Sequence, residues 1–311
     1  MGYSLLNQFQ GALWGAIVGE FIAQTWPHPP SGCPSRGLVF DRPLVLPLTA
    51  VLLTGVESLC DRGDLDLADW QRLTLPDQAM PPLALAIPIA LFFHEDDRLL
   101  YRKLEQLWQV QVFSLECRAA ILILSQTIAW FLRRQMSLTD LIPRLINRLR
   151  ETDLAATTVL EQLGLVQRLL TQAAGIETAI VAMGSRSPEV TAMIPIFYSF
   201  LRTPQDYRLA LCQTAQISIY QSNLCTITGA VAGAYNGSVC LPSNWSHALN
   251  SRMEPIPSPL STLSHPFRLE SHADQLAAQL LAVWSGQYPL APFIHRADQT
   301  ATAAPGVIRP R

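Results

Sequence analysis

Charge is scarce in this sequence. Only 15% of its 311 residues are Asp, Glu, Lys or Arg, against roughly 25% in an average soluble domain, and they nearly cancel to a formal charge of −2. No basic face is left for a nucleic-acid backbone and no basic run for an anionic membrane, so neither partner is expected. The six cysteines, at 33, 60, 117, 212, 225 and 240, show neither Cys-x-x-Cys nor Cys/His spacing. That pattern argues against a zinc site and a disulfide framework and predicts reduced, mostly buried thiols. Apolar runs are also short. The longest, Pro81 to Phe93 and Ala119 to Leu132, stop below the roughly 20 residues that a helix needs to cross a bilayer, so no membrane span is expected. The N-terminus has no basic n-region, and Leu6 stands where a myristoylation motif needs Ser or Thr, which makes a cytoplasmic location the expectation. No Gly-x-Ser-x-Gly elbow, P-loop or Rossmann fingerprint occurs.

Helical spacing is abundant, and no run of strand-like alternation competes with it. Leu138, Leu141, Ile142, Leu145, Ile146 and Leu149 recur at intervals of three and four, with Arg144, Asn147, Arg148 and Arg150 opposite them. This is an amphipathic helix, and Asp140 as its N-cap would place Pro143 in the tolerant first turn. Ser187-Pro188-Glu189 and Thr203-Pro204-Gln205-Asp206 predict two further helix starts, with helices over about 188–201 and 204–220. Other helices are predicted near 5–24, 47–59, 83–93, 98–111, 115–134, 154–172, 176–183 and 269–284. The Pro-rich stretches 26–43 and 251–266 read as loops within one domain of residues 1–286, followed by a poorly ordered tail over 287–311.

Two stretches of small residues stand out. Gly11, Gly15 and Gly19 recur every four residues ahead of Glu20, and Gly229, Gly233 and Gly237 repeat that interval after Ser222-Asn223-Leu224-Cys225-Thr226. Such spacing puts glycines on one helix face, where a neighbouring backbone can approach closely. Because Gly costs an exposed helix about 1 kcal/mol relative to Ala, the pattern calls for a packing or ligand reason. The two stretches are therefore predicted to pack on each other. A helix N-terminus such as 222–226 also suits an anion.

Both stretches resemble signatures of the ADP-ribosylglycohydrolase family. Gly11-Ala12-Leu13-Trp14-Gly15-Ala16-Ile17-Val18-Gly19-Glu20 is similar to that family's N-terminal Gly-Ala-x-x-Gly-x-x-x-Gly-Asp helix. Residues 222–245, ending in Leu241-Pro242-Ser243-Asn244-Trp245, resemble its Gly-Asp-x-Asp-Thr turn, Gly/Ala helix and Ile-Pro-x-x-Trp. The resemblance implies an all-α fold, a single orthogonal multi-helix bundle with Trp245 buried. It also implies a site where two Mg²⁺ or Mn²⁺ ions hold ADP-ribose and the attacking water.

The matched positions depart from that chemistry. Where the family has Thr-Asp-Asp-Thr, this chain has Leu46-Pro47-Leu48-Thr49, and Asn223 and Cys225 replace the two turn aspartates. Hard divalent cations need carboxylate oxygens, and two of them bring four positive charges that neutral groups do not balance. The candidate cleft by family position is therefore Glu20, Thr49, Asn223, Cys225 and Thr226, with no metal ligand set and no cofactor. The reading is a degenerate, non-hydrolytic family member acting as a binding or regulatory module, for a nucleotide or ADP-ribose-like ligand or for a protein partner. The alternatives are an active hydrolase recruiting Glu20, Glu57 or Asp61, and a structural subunit.

Other side chains carry weaker signals. Cys225 at a helix N-terminus could be an activated thiol or a buried inert one. Asp61, Asp64 and Asp66 read as a capping cluster rather than a calcium loop. His94-Glu95-Asp96-Asp97 reads as a solvated turn with Asp96 or Asp97 as cap, and His247 is a candidate for the cleft wall.

Overall fold

Helix α1 (Leu5–Thr25) is buried continuously from Gly11 to Ile22, which is stable only for a helix surrounded by others. The computed structural model describes residues 4–25, 46–73, 83–183, 192–217, 222–251, 269–289 and 300–302. Within it α1 lies antiparallel against α12 (Ser222–Asn236). A Cβ on Gly11 would run into the carbonyl of Gly233, one on Gly15 into that of Gly229, and one on Gly19 into that of Cys225. Backbone thus meets backbone along the whole crossing, as the glycine spacing predicts. Gly237 also faces Gly11 and has φ 71°, a left-handed conformation that glycine adopts without strain.

The remaining helices wrap this pair. Following α1 come α2 (Pro47–Arg62), α3 (Leu67–Gln71), a 3₁₀ turn (Leu83–Leu85) running into α4 (Ala86–Phe92), α5 (Asp97–Val110), α6 (Leu115–Arg133) and α7 (Leu138–Arg150). Then follow α8 (Thr157–Thr171), α9 (Ile176–Met183), α10 (Met193–Arg202) and α11 (Tyr207–Ile217) ahead of α12, with α13 (Ser243–Asn250) and α14 (Leu269–Trp284) after it. Helices α6, α10 and α11 pack on α12, while α14 packs on α1 and α2. Phe131, Phe200 and Tyr235 interlock edge-to-face or tilted, with centroids 5.0–5.6 Å apart, and so join α6, α10 and α12. The fold is all-α. The three-residue strands Gln287–Pro289 and Thr300–Thr302 pair antiparallel at its C-terminal margin.

Helix α6 has the length and apolarity of a membrane span, but 78% of its most apolar window is buried inside the bundle. Its polar residues bond inward. Ser125 Oγ donates to the Ala86 carbonyl, and Gln126 Nε2 donates to Asp97. It is a core helix.

Several local expectations are corrected. Helix α7 begins one turn early, with Ser137 at the N-cap and Asp140 in the first turn, so Pro143 lies inside the helix. Its missing N–H falls on a half-exposed face, where water can serve the carbonyl of Thr139. Helix α11 is capped by Asp206, which accepts from the Leu209 N–H, rather than by Thr203. Ser187 to Glu189 lie outside the described residues. Asp96 caps α5 as expected. His94 is not solvated: it is buried between Phe9 and Trp284 and shares a 2.8 Å hydrogen bond with the Leu91 carbonyl. Cys212 is disulfide-bonded, whereas Cys60, Cys225 and Cys240 are free thiols. Reduced thiols throughout are therefore not what the structure has, because proximity in space rather than spacing in sequence decides such a pairing.

Candidate functional site

Helix α2 opens with a difficulty that its own sequence does not solve. Its N-cap residue, Leu46, has no side-chain acceptor, and Pro47 at the first position has no N–H. The next N–H groups, of Leu48 and Thr49, still need partners. Glu20, near the end of α1, supplies them. Its Oε1 accepts from Leu48 N at 2.9 Å, and its Oε2 accepts from Thr49 N and Thr49 Oγ1, both at 2.7 Å. The carboxylate is thus a cap delivered from another helix, favoured further by the positive end of the α2 dipole. Burial pushes the Glu20 pKa up, and the three donors, which pull it down, offset this only in part.

One residue before Glu20, Gly19 meets the other half of the candidate site. The Cys225 carbonyl and the Thr226 Cα press against the space where a Gly19 side chain would be. Asn223, Cys225 and Thr226 therefore sit on the first turns of α12, and Glu20 and Thr49 sit at the junction of α1 and α2. The structure brings the family-matched positions to the same end of the α1–α12 pair. It also buries all of them, with exposures of 4% or less. Burial pushes the Cys225 thiol up to about 12, so the helix N-terminus does not activate it. Asn223 Oδ1 is buried with no hydrogen-bond donor among the described residues.

These residues do not fit a pair of hard divalent ions. The single carboxylate of the set already takes three protein donors, Leu46, Pro47 and Leu48 have no side-chain oxygen, and Cys225 is a soft, protonated ligand. Glu57, considered as a recruited ligand, instead pairs with His272 of α14 at 3.4 Å. Asp61 is exposed on the last turn of α2, and Asp66 caps α3. No group of three or more His, Cys, Asp or Glu able to hold a metal occurs among the described residues.

A family model for ADP-ribosylglycohydrolases matches residues 53–289. The chain belongs to the ADP-ribosylglycohydrolase family. The matched span contains Asn223, Cys225 and Thr226 and begins after Glu20 and Thr49. Curated protein sequences give no match. Among solved structures the fold is similar to an "ADP-ribosylglycohydrolase-related protein complex", with TM-score 0.60 and 16% identity over 90% of this chain and 99% of that one. At that identity the likeness is one of fold.

Within this family member, Trp245 is buried as the resemblance implies, at 1% exposure. Its indole N–H has no hydrogen-bond acceptor among the described residues. The ring's polar neighbour is the Arg208 guanidinium, 5.8 Å from its centroid. His247 does not reach the Glu20 end. It lines a cavity of about 610 Å³ beside Trp14, toward the opposite end of α1, with Glu270 and Asp274 of α14. That cavity was missed in the sequence because its lining comes from segments far apart in the chain. The i, i+4 repeat of acids at 270 and 274 was the only local signal.

Proposed function

We propose that this ADP-ribosylglycohydrolase family member does not carry out metal-dependent hydrolysis at the family-matched site and acts instead as a binding or regulatory protein. The observation that carries this reading is the position of Glu20. Its carboxylate, the only one at the matched positions, accepts the α2 N-terminal N–H groups and the Thr49 hydroxyl, leaving no anionic ligand set for two divalent ions. Binding is supported by Asn223, whose buried Oδ1 at the α12 N-terminus can accept a hydrogen bond from a ligand's N–H or O–H. A nucleotide or ADP-ribose-like ligand offers both such donors and an anionic group for the helix end.

The test pairs two measurements on the full chain. Incubation with an ADP-ribosylated protein and Mg²⁺ or Mn²⁺ should release no ADP-ribose, while calorimetric titration with ADP-ribose should give saturable binding that Asn223→Ala weakens. Metal-dependent release would overturn the non-hydrolytic reading. Absence of both release and binding would favour the structural-subunit reading, which the closed packing at Gly19 also supports.

A further inference from the structure

The cavity beside Trp14 carries two carboxylates, with the Gln10 amide and the His247 imidazole also in its lining. Glu270 and Asp274 stand one turn apart on α14, both half-buried, and neither forms an ion pair with a described residue. Asn250 donates Nδ2 to Glu270 Oε2 at 2.7 Å, while its own Oδ1 is buried with no donor among the described residues. Ser238, Ser243 and Ser251 add hydroxyl groups, and no lysine or arginine belongs to the described lining. The Trp14 indole N–H is already donated to Ser246 Oγ at 3.1 Å, so what this residue offers a ligand is its ring. Burial and the neighbouring Glu270 charge both push the Asp274 pKa up, as expected of carboxylates short of a cation.

We propose that this cavity is a binding site for a small organic cation carrying several N–H donors, an alkylammonium or guanidinium compound. Its positive charge meets Glu270 and Asp274, its N–H groups reach the serine hydroxyls of the lining, and its alkyl or planar part lies against Trp14. A bare metal ion fits less well. The volume suits a small organic molecule, and the described residues offer no cluster of three hard ligands. The site is independent of the proposed function. Gln10 and Trp14 lie six or more residues before Glu20, about 9 Å or more along the helix axis.

Isothermal titration of the full chain with 1,4-diaminobutane and with methylguanidinium, at constant ionic strength, tests this. Single-site binding with Kd below about 1 mM is expected. Weakening of at least about tenfold is expected in the Glu270→Gln, Asp274→Asn double variant. Ser243→Trp, which blocks the exposed mouth without touching either carboxylate, should weaken binding similarly and covers the case in which the double variant fails to fold. The proposal is overturned by any of three results: no saturation at 10 mM, affinity unchanged in folded variants, or equal affinity for tetramethylammonium, which has no N–H. Displacement of the diamine by equimolar Mg²⁺ would overturn it in favour of a metal site.

Discussion

The Tyr207 hydroxyl donates a 2.7 Å hydrogen bond to the carbonyl oxygen of Gly15. The same hydroxyl lies 3.0 Å from where a Cβ on Gly229 would be, so one oxygen marks the point at which α1, α11 and α12 come together. Burial holds the Tyr207 pKa well above its ordinary value, which keeps the group a neutral donor across the physiological range.

Gly15→Leu and Gly233→Leu should each destabilise the protein, by about 1–3 kcal/mol or more, because the new side chain meets backbone that cannot yield. Gly164→Ala is the contrasting variant. Nothing lies within 4 Å of its Cβ position inside α8, so a gain of about 0.5–1 kcal/mol is expected. Urea midpoints measure all three, and unchanged midpoints for both leucine variants would sink the packing account.

Glu20→Ala should cost about 1–3 kcal/mol, since it strands the Leu48 and Thr49 N–H groups in a buried setting. The pH dependence has a definite sign. With its folded pKa raised, Glu20 contributes stability that is fully present below its unfolded pKa of about 4.3 and is lost as pH rises through the folded value. Wild type should therefore lose stability relative to Glu20→Gln as pH climbs out of the ordinary glutamate range. Parallel urea titrations from acid to neutral pH check this.

The His94 imidazole behaves oppositely. Burial lowers its pKa, so its stabilising contribution is present above the unfolded value of about 6.5 and declines as pH falls toward the folded one. Replacing it with Gln should flatten that part of the stability profile. An equally steep profile in the variant would show that another group titrates there.

With its thiol pushed up to about 12, Cys225 should resist iodoacetamide at pH 8 in the folded protein and be labelled only in urea. Mass spectrometry of the two digests decides the matter. Asn223→Asp combined with Cys225→Asp should not restore ADP-ribose release, because Leu46 to Leu48 still lack carboxylates. Saturating Mg²⁺ should raise the melting temperature of neither protein, although a true site filled at 100 times its Kd would contribute about 2.7 kcal/mol.

The glycine pairing was legible because close backbone approach leaves a mark in composition, one small residue per turn on each partner. The role of Glu20 was less so. It was singled out as the last acid at a matched position, but its partners are backbone N–H groups, which look alike in every sequence. The clue was an absence, since Leu46-Pro47 opens a helix without a polar cap. Gln162, whose Oε1 accepts from Met193 N at the start of α10, solves the same problem 31 residues away and left no local sign. His94 reads as solvated in the sequence because three acids follow it, and only the fold brings Phe9 and Trp284, distant in the chain, over its ring.

The antiparallel seating of α1 on α12 also sets an order of events on the ribosome. Helix α1 leaves the ribosome well before α12 and is apolar nearly all round, and the groove that receives it is encoded some two hundred residues later. At about 5–20 residues per second, the nascent chain carries that helix uncovered for on the order of tens of seconds. A chain that stalls before Gly229 would leave it permanently without its mate, so truncated products of this protein should be clients of chaperones and proteases rather than partly working fragments.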